Sequence, residues 1–474
     1  MTPLRILHVV PTYLPAWRHG GPVAAVHGLC KALAARGHEV TVFTTDVHGS
    51  GTLDVPRAAE VHLDGVRVWY FPVGFPRRLY RAPEMAAALA HRLPLPPHGG
   101  DGGGTPGDDA GHHPGDGHRQ ADRGPGGSGF DIVHLHSVFL WPTAAAARAA
   151  ERAGVPYLVA PRGMLVRDLL QRRGWLRKWL WIRLVERRTL ARAAAVHVTS
   201  SLEAAEIAHL GLVTAPLVLV ENGVEVPAPG GVHGGLAGTA AVGTASGEAE
   251  ELSAEVRAAL ARRPLVLFLG RVSWKKGLDR LVPAMADVPG ATLAVAGNDE
   301  EGHQADLERL AVTAGVADRV LFLGPVHGAA KTALLHGADL LVLPSYSENF
   351  GNVVLEAMTA ALPVVVTPEV GLAAVVRESG AGVVAEGDPP RLAAALRSLL
   401  SDADRRRAMG ERGAAEVARR FGWDTIAGRM EEVYRQILAA AAVRPAGSQP
   451  EPEPAAAPAP GGAPPGAEPP EGTR

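Results

Sequence analysis

Two carboxylates, Glu348 and Glu356, stand eight residues apart in LPSYSENFGNVVLEAMTAA (343–361), with Gly351 between them. The preceding run ADLLVLP (338–344) is short, apolar and closed by proline, which reads as a buried parallel strand. Val353, Val354, Ala357, Met358 and Ala361 then recur at helical spacing, so a helix is expected from Gly351 or Asn352. A helix start presents unpaired N–H groups and the positive end of its dipole. The backbone of Phe350, Gly351, Asn352 and Val353 could therefore receive a diphosphate. Glu348 precedes the helix and Glu356 lies just over one turn inside it, about 7.5 Å along the axis from Gly351. Carboxylates so placed suit two different tasks on one ligand, and a sugar nucleotide offers both.

Glutamates at this spacing inside a Pro-Ser-x-x-Glu-x-Phe-Gly frame resemble the signature of retaining glycosyltransferase family 4. The resemblance covers roughly residues 4 to 440 apart from two low-complexity stretches. It implies an α/β protein of the GT-B fold, with two Rossmann-like, doubly wound parallel-sheet domains facing across a cleft. It also implies that Glu356 bonds the ribose hydroxyls of the donor and that Glu348 sits at the donor sugar near the reacting carbon. GRVSWKKG (270–277) matches the family's Gly-Arg-x4-Lys-Gly, which casts Arg271 and Lys276 as the cations that neutralise a departing nucleotide diphosphate. Gly20 and Gly21 look like the glycine loop that approaches the diphosphate from the N-terminal domain. His136, at the end of DIVHLHS (131–137), resembles the histidine that contacts the donor sugar. Arg162 of APRGML is similar to a residue lining the acceptor side in part of the family. Asn222-Gly223-Val224 resembles the turn that ends the first domain, although Glu221 replaces the commoner proline and Glu225 the commoner aspartate.

These residues need elements to hold them. Residues 1–227 read as the acceptor-side domain, opening strand, glycine turn, helix, strand. The opening lacks GxGxxG, which argues against nicotinamide binding despite Asp46 at the end of its second strand. Residues 96–129 are Gly/Pro/His-rich and too poor in apolar residues to pack, so a disordered insertion is expected. Its histidines, among them His112 and His113, have nothing rigid to hold a metal. Residues 228–262 read as a low-complexity linker, 263–423 as the nucleotide-sugar-binding domain, 424–440 as a helix crossing back to the first domain, and 441–474 as a disordered Pro/Ala-rich tail. His134 and His136 lie two apart on a strand and so share a face. The pair could chelate, or His134 could be an ordinary core histidine.

Composition limits the partners. Lys plus Arg is 47 against 49 acids, a formal net charge of -2, so no global field favours nucleic acid. Local binding is another matter. Nine Lys or Arg and two acids fall between Arg167 and Arg192, with Trp175, Trp179 and Trp181 interleaved. Such a segment could lie on anionic lipid, grip a phosphate-bearing acceptor, or simply be a half-buried helix with a solvated face. Cys30 is the single cysteine, which excludes an internal disulfide and suits a reducing compartment. The apolar run at the start is too short for a signal peptide and no stretch is long enough to span a bilayer. A cytoplasmic protein is expected, with 167–192 as a point of peripheral contact at the inner face of the membrane.

The expected activity is transfer of a sugar, with retention, from a UDP- or GDP-linked donor to a saccharide or lipid-linked acceptor, without metal or other cofactor. A catalytically silent nucleotide-binding or scaffolding module, or another GT-B enzyme such as a sugar-nucleotide epimerase or a phosphorylase, is the competing reading. An epimerase converts the donor without acceptor, and a phosphorylase needs inorganic phosphate.

Overall fold

The computed structural model describes residues 2–16, 20–49, 51–93, 129–165, 180–213, 215–227, 252–299 and 301–443. The low-complexity stretch 96–128 and the tail from 444 lie outside the described residues, as do 167–179 of the basic segment and 228–251 of the linker.

The first sheet is built from β1 (Arg5–Val9), β2 (Glu39–Thr45), β5 (Glu60–Leu63), β6 (Val66–Phe71), β7 (Ile132–His136), β8 (Tyr157–Ala160), β9 (Ala195–Val198) and β10 (Leu217–Leu219). The small ribbon of β3 (Val47–His48) and β4 (Gly51–Thr52) stands apart. Spatial order is β10-β9-β8-β7-β1-β2-β6-β5, parallel except where β5 runs antiparallel to β6. The inner strands are apolar runs buried on both faces, as a covered parallel sheet requires. The second sheet contains β11 (Leu265–Leu269), β12 (Thr292–Ala296), β13 (Val320–Gly324), β14 (Leu340–Leu343), β15 (Val364–Val366) and β16 (Gly382–Val384), all parallel, in the order β13-β12-β11-β14-β15-β16. Strand order reverses between β1 and β7 in one sheet and between β11 and β14 in the other. Ligands of open α/β sheets bind in the crevice at the carboxyl ends of such strands.

The interdomain connection needs a correction. The sequence places residues up to 262 in the linker, yet Ala254–Leu260 is a helix capped by the Ser253 side chain. Its Val256 and Ala259 are buried in the second domain's core. The low-complexity composition ends before Ser253, and AEVRAAL carries enough apolar residues to pack.

The last helix, Trp423–Val443, packs on Gly21–Ala35 of the first domain and buries Ile426, Ala427, Met430 and Tyr434 in its core. Gly28 is what allows this close approach, since a Cβ there would lie 2.2 Å from the Trp423 ring. Glu221, the departure from the family's proline, accepts from Arg420 at 3.1 Å and Arg429 at 2.9 Å. It thereby ties the end of the first domain to the returning helices.

Candidate functional site

Loops from the two switch points carry the sequence-predicted residues. After β11 the chain turns through Gly270 and Arg271 into a short turn of helix, Trp274–Lys276, ended by Gly277. Gly277 has φ 67°, and a Cβ there would lie 2.0 Å from the Pro344 carbonyl oxygen at the end of β14. Only glycine fits that position, and its fit seats the Lys276 loop against the strand that leads to Glu348. Lys276 donates to Glu348 in a short, charge-assisted contact, with both side chains largely buried. Arg271 is exposed and makes no hydrogen bond or ion pair among the described residues.

The helix Asn352–Thr359 starts one residue after Gly351, whose left-handed backbone (φ 95°) makes the turn. Phe350 is buried in the second domain's core, so it can offer a ligand only its backbone. The amides of Phe350, Gly351, Asn352 and Val353 make no hydrogen bond among the described residues. Glu356, one turn on, is paired with Lys331 at 2.8 Å. Sequence reading missed Lys331. It lies in the helix Gly328–Gly337, 25 positions upstream, and a lone lysine on a helix gives no local signal.

The N-terminal domain grips this turn from the other side. Asn352 Nδ2 donates to the Gly21 carbonyl at 3.2 Å, and Asn352 Oδ1 accepts from Asn222 Nδ2 at 2.9 Å. Asn349 Nδ2 donates to Thr199 Oγ1 at 2.9 Å, while the Ser200 hydroxyl donates to the Asn349 carbonyl at 2.7 Å. Gly21 is packed so closely that a Cβ would sit 2.7 Å from Asn352 Nδ2. Gly20 has φ 68° and precedes the helix that Gly21 begins. Together these contacts bring Gly20 and Gly21 over the start of the Asn352 helix.

His136, which the family resemblance puts at the donor sugar, is 1% exposed in this structure and both its ring nitrogens are engaged. The side chains of β1, β7 and β9 on this sheet face form a stack of His8, His134, His136 and His197, covered by Arg162 and by Tyr434 of the last helix. That covering is supplied by residues distant in sequence, which strand position does not reveal. Arg162 can only donate, so His136 Nδ1, 3.3 Å from Arg162 Nη2, accepts. His136 Nε2 then carries the proton and donates to His8 Nδ1 at 3.0 Å. In parallel, His197 Nε2 donates to the Val220 carbonyl at 2.8 Å, so His197 Nδ1 accepts from His134 Nε2 at 3.2 Å. His134 Nδ1 in turn accepts from the Tyr434 hydroxyl at 2.8 Å. All four rings are thus neutral with assigned tautomers.

His8, His134 and His136 offer ring nitrogens within 4.8 Å of one another, close enough to suggest a chelate. The donor set contains no carboxylate, however, and a cation there would sit beside the buried Arg162 guanidinium. The stack fits a hydrogen-bonded support for Arg162 better than a metal centre. Arg162 itself has a left-handed backbone (φ 55°), which costs a side-chain-bearing residue about 1–2 kcal/mol. It passes the support on, donating to Asn222 Oδ1 at 2.7 Å and so reaching Asn352. His136 and Arg162 are therefore joined to the site through Asn222 rather than lining it directly.

Burial, reinforced by Arg162, lowers the pKa of His8 and of His197 to about 3 and holds His134 and His136 well below the usual range. Unfolded histidines titrate near pH 6.5, so below that pH the unfolded chain gains protons that the native protein refuses. The sign is destabilisation on acidification, by up to about 1.4 kcal/mol per pH unit for each histidine. We expect a stable melting temperature above pH 7 and a steep fall between pH 6.5 and 5, measured by circular dichroism. A flat profile over that window would refute the neutral stack.

The fold and the paired carboxyl-edge loops define a GT-B protein. Sucrose-phosphate synthase from Thermosynechococcus elongatus superposes with a TM-score of 0.66 at 23% identity, covering 92% of this chain and 100% of that one. HepE of Anabaena, solved in complex with UDP-glucose, gives 0.63 at 17% identity, covering 91% and 100%. Identities this low establish the fold alone. The model of the glycosyl transferase 4-like domain matches residues 20–223 and that of the group 1 glycosyl transferases matches 250–416, between them most of the chain. The chain belongs to GT-B glycosyltransferase family 4. A D-inositol 3-phosphate glycosyltransferase of Xylanimonas cellulosilytica is 41% identical over 177 residues, 36% of this chain and 42% of that protein. One of Mycobacterium marinum is 36% identical over 192 residues, 39% and 41% of the two chains. The matches span about two fifths of these curated relatives.

Proposed function

We propose that the protein transfers a sugar from a nucleotide diphosphate sugar to an acceptor with retention of anomeric configuration, in polysaccharide or glycolipid assembly. The observation that carries this reading is the meeting of Lys276 and Glu348 at the β11/β14 switch point, beside a helix start overlain by Gly21. In this reading the donor lies on the second domain, with the ribose on Glu356 and the diphosphate on Arg271, Lys276 and the amides of 350–353. The two cations take the part that a divalent metal plays elsewhere, so no metal is required. Lys331 holds one oxygen of Glu356 and leaves the other for the ribose. Glu348, aligned by Lys276, stands at the sugar. Because the second domain offers no paired general base among its described residues, the acceptor attacks on the face the nucleotide leaves, and the departing phosphate oxygen takes the acceptor's proton. A trapped glycosyl–Glu348 adduct would replace this with double displacement.

UDP is the first nucleotide to test, since fold neighbours were solved with it. The acceptor is a saccharide or lipid-linked molecule. Titration calorimetry with UDP, GDP and ADP, with and without chelator, is expected to show one of them binding equally well under both conditions. Failure of all three would favour the catalytically silent module, and conversion of donor without acceptor would favour an epimerase.

A further inference from the structure

Helices Trp141–Ala153 and Arg187–Ala191 lie side by side on the first domain, and their C-terminal ends lead into the starts of β8 and β9, the sheet edge opposite the carboxyl ends of the strands. Between them runs a cleft of about 380 Å³ lined by Arg148, Arg152, Arg188, Arg192 and Glu151. Four guanidinium groups thus face a single carboxylate. Glu151 is 13% exposed and already shared by Arg188 at 2.9 Å, Arg192 at 3.3 Å and the Tyr157 hydroxyl. Arg148 and Arg152 are exposed and have no ion-pair partner among the described residues.

The same helical run carries Leu180 and Leu184 into solvent, 49% and 65% exposed. Its one acid, Glu186, is turned inward and 1% exposed, accepting from the Trp181 indole at 2.9 Å and the Phe139 amide at 2.6 Å. Outward-facing leucines beside arginines, with the acid withdrawn, make a surface that is apolar and positive at once. A soluble anion would need only the arginines. A bilayer interface uses both, the headgroup phosphates on the guanidinium groups and the leucines in the acyl boundary.

We infer that this face, Leu180, Leu184 and the arginine cleft, docks the protein on membranes rich in anionic phospholipid. None of these residues is among those given a part in glycosyl transfer above, so the docking can be tested apart from it. It would place the first domain, the acceptor side of a family 4 fold, against the lipid surface.

The test is co-sedimentation of the full chain with vesicles of phosphatidylcholine alone or with about a third phosphatidylglycerol, at low and high salt. Binding is expected only to the anionic vesicles and is expected to be lost at high salt, as the Debye length shrinks. Arg148→Glu with Arg152→Glu is expected to cut the bound-to-free ratio by at least about twenty-five-fold, at about fivefold per basic residue removed. Leu184→Ser is expected to weaken binding without changing its salt dependence. Nucleotide binding by calorimetry and the melting temperature should be unchanged in all variants, which separates a lost surface from a lost fold. Absence of wild-type binding to anionic vesicles at low salt, equal binding to neutral ones, or full binding by the arginine variant would each overturn the inference.

Discussion

Arg271→Ala is expected to lower turnover by about two to three orders of magnitude, the loss typical of removing one preorganised group that meets charge as it develops. The Arg271 side chain is exposed and makes no hydrogen bond or ion pair among the described residues, so its removal should leave the melting temperature unchanged. Its place is what matters. It follows β11 directly, on the strand at which the order of the second sheet reverses, and there a diphosphate would accumulate charge as the bond to the sugar breaks. Turnover and melting should therefore separate cleanly, and wild-type turnover in the variant would remove Arg271 from the site.

Lys276→Met and Glu348→Gln are each expected to reduce turnover by about a thousandfold, but the double variant should be little worse than either alone. The reason is their contact. Lys276 has three donors and spends one on Glu348, whose carboxylate is only 20% exposed. Removing the lysine deprives the diphosphate of a cation and also leaves a largely buried carboxylate without its partner, free to turn from the sugar. A thousandfold loss is about 4 kcal/mol, and residues that act as one unit are grossly non-additive, so the coupling in this cycle should approach that whole amount. The measurement is kcat and kcat/KM for the two singles and the double. Strictly additive losses would mean that the two residues serve separate steps and that their contact is incidental.

Much of this site was legible from local pattern because its parts are close in sequence. Glu348, Gly351 and Glu356 belong to one strand–turn–helix unit, and Arg271 and Lys276 to another, so spacing alone placed each set at a strand's carboxyl end. His136 shows where that logic stops. Its position at the end of β7 was legible, but the partners of its two ring nitrogens, Arg162 and His8, come from 26 and 128 positions away. The start of the second domain was misjudged for a related reason. Ala254–Leu260 is too short for its periodicity to stand out beside the low-complexity run, and it is a helix chiefly because the core beneath it buries Val256 and Ala259.

By itself, the amino-acid sequence determined the two α/β sheets and the family resemblance, and it put Arg271 and Lys276 after one strand and Glu348 and Glu356 after another, because continuous apolar strands and glycine turns are written within a few residues of one another. The tertiary structure alone decided the partners. Lys331 reaches Glu356, Asn222 and Gly21 reach Asn352, and Arg148 and Arg152 join Arg188 and Arg192 in one cleft. Such contacts join groups as far as 331 positions apart, and no local preference specifies them. They follow from how the sheets stack, how the last helix returns to the first domain, and which polar groups must find partners once water is excluded.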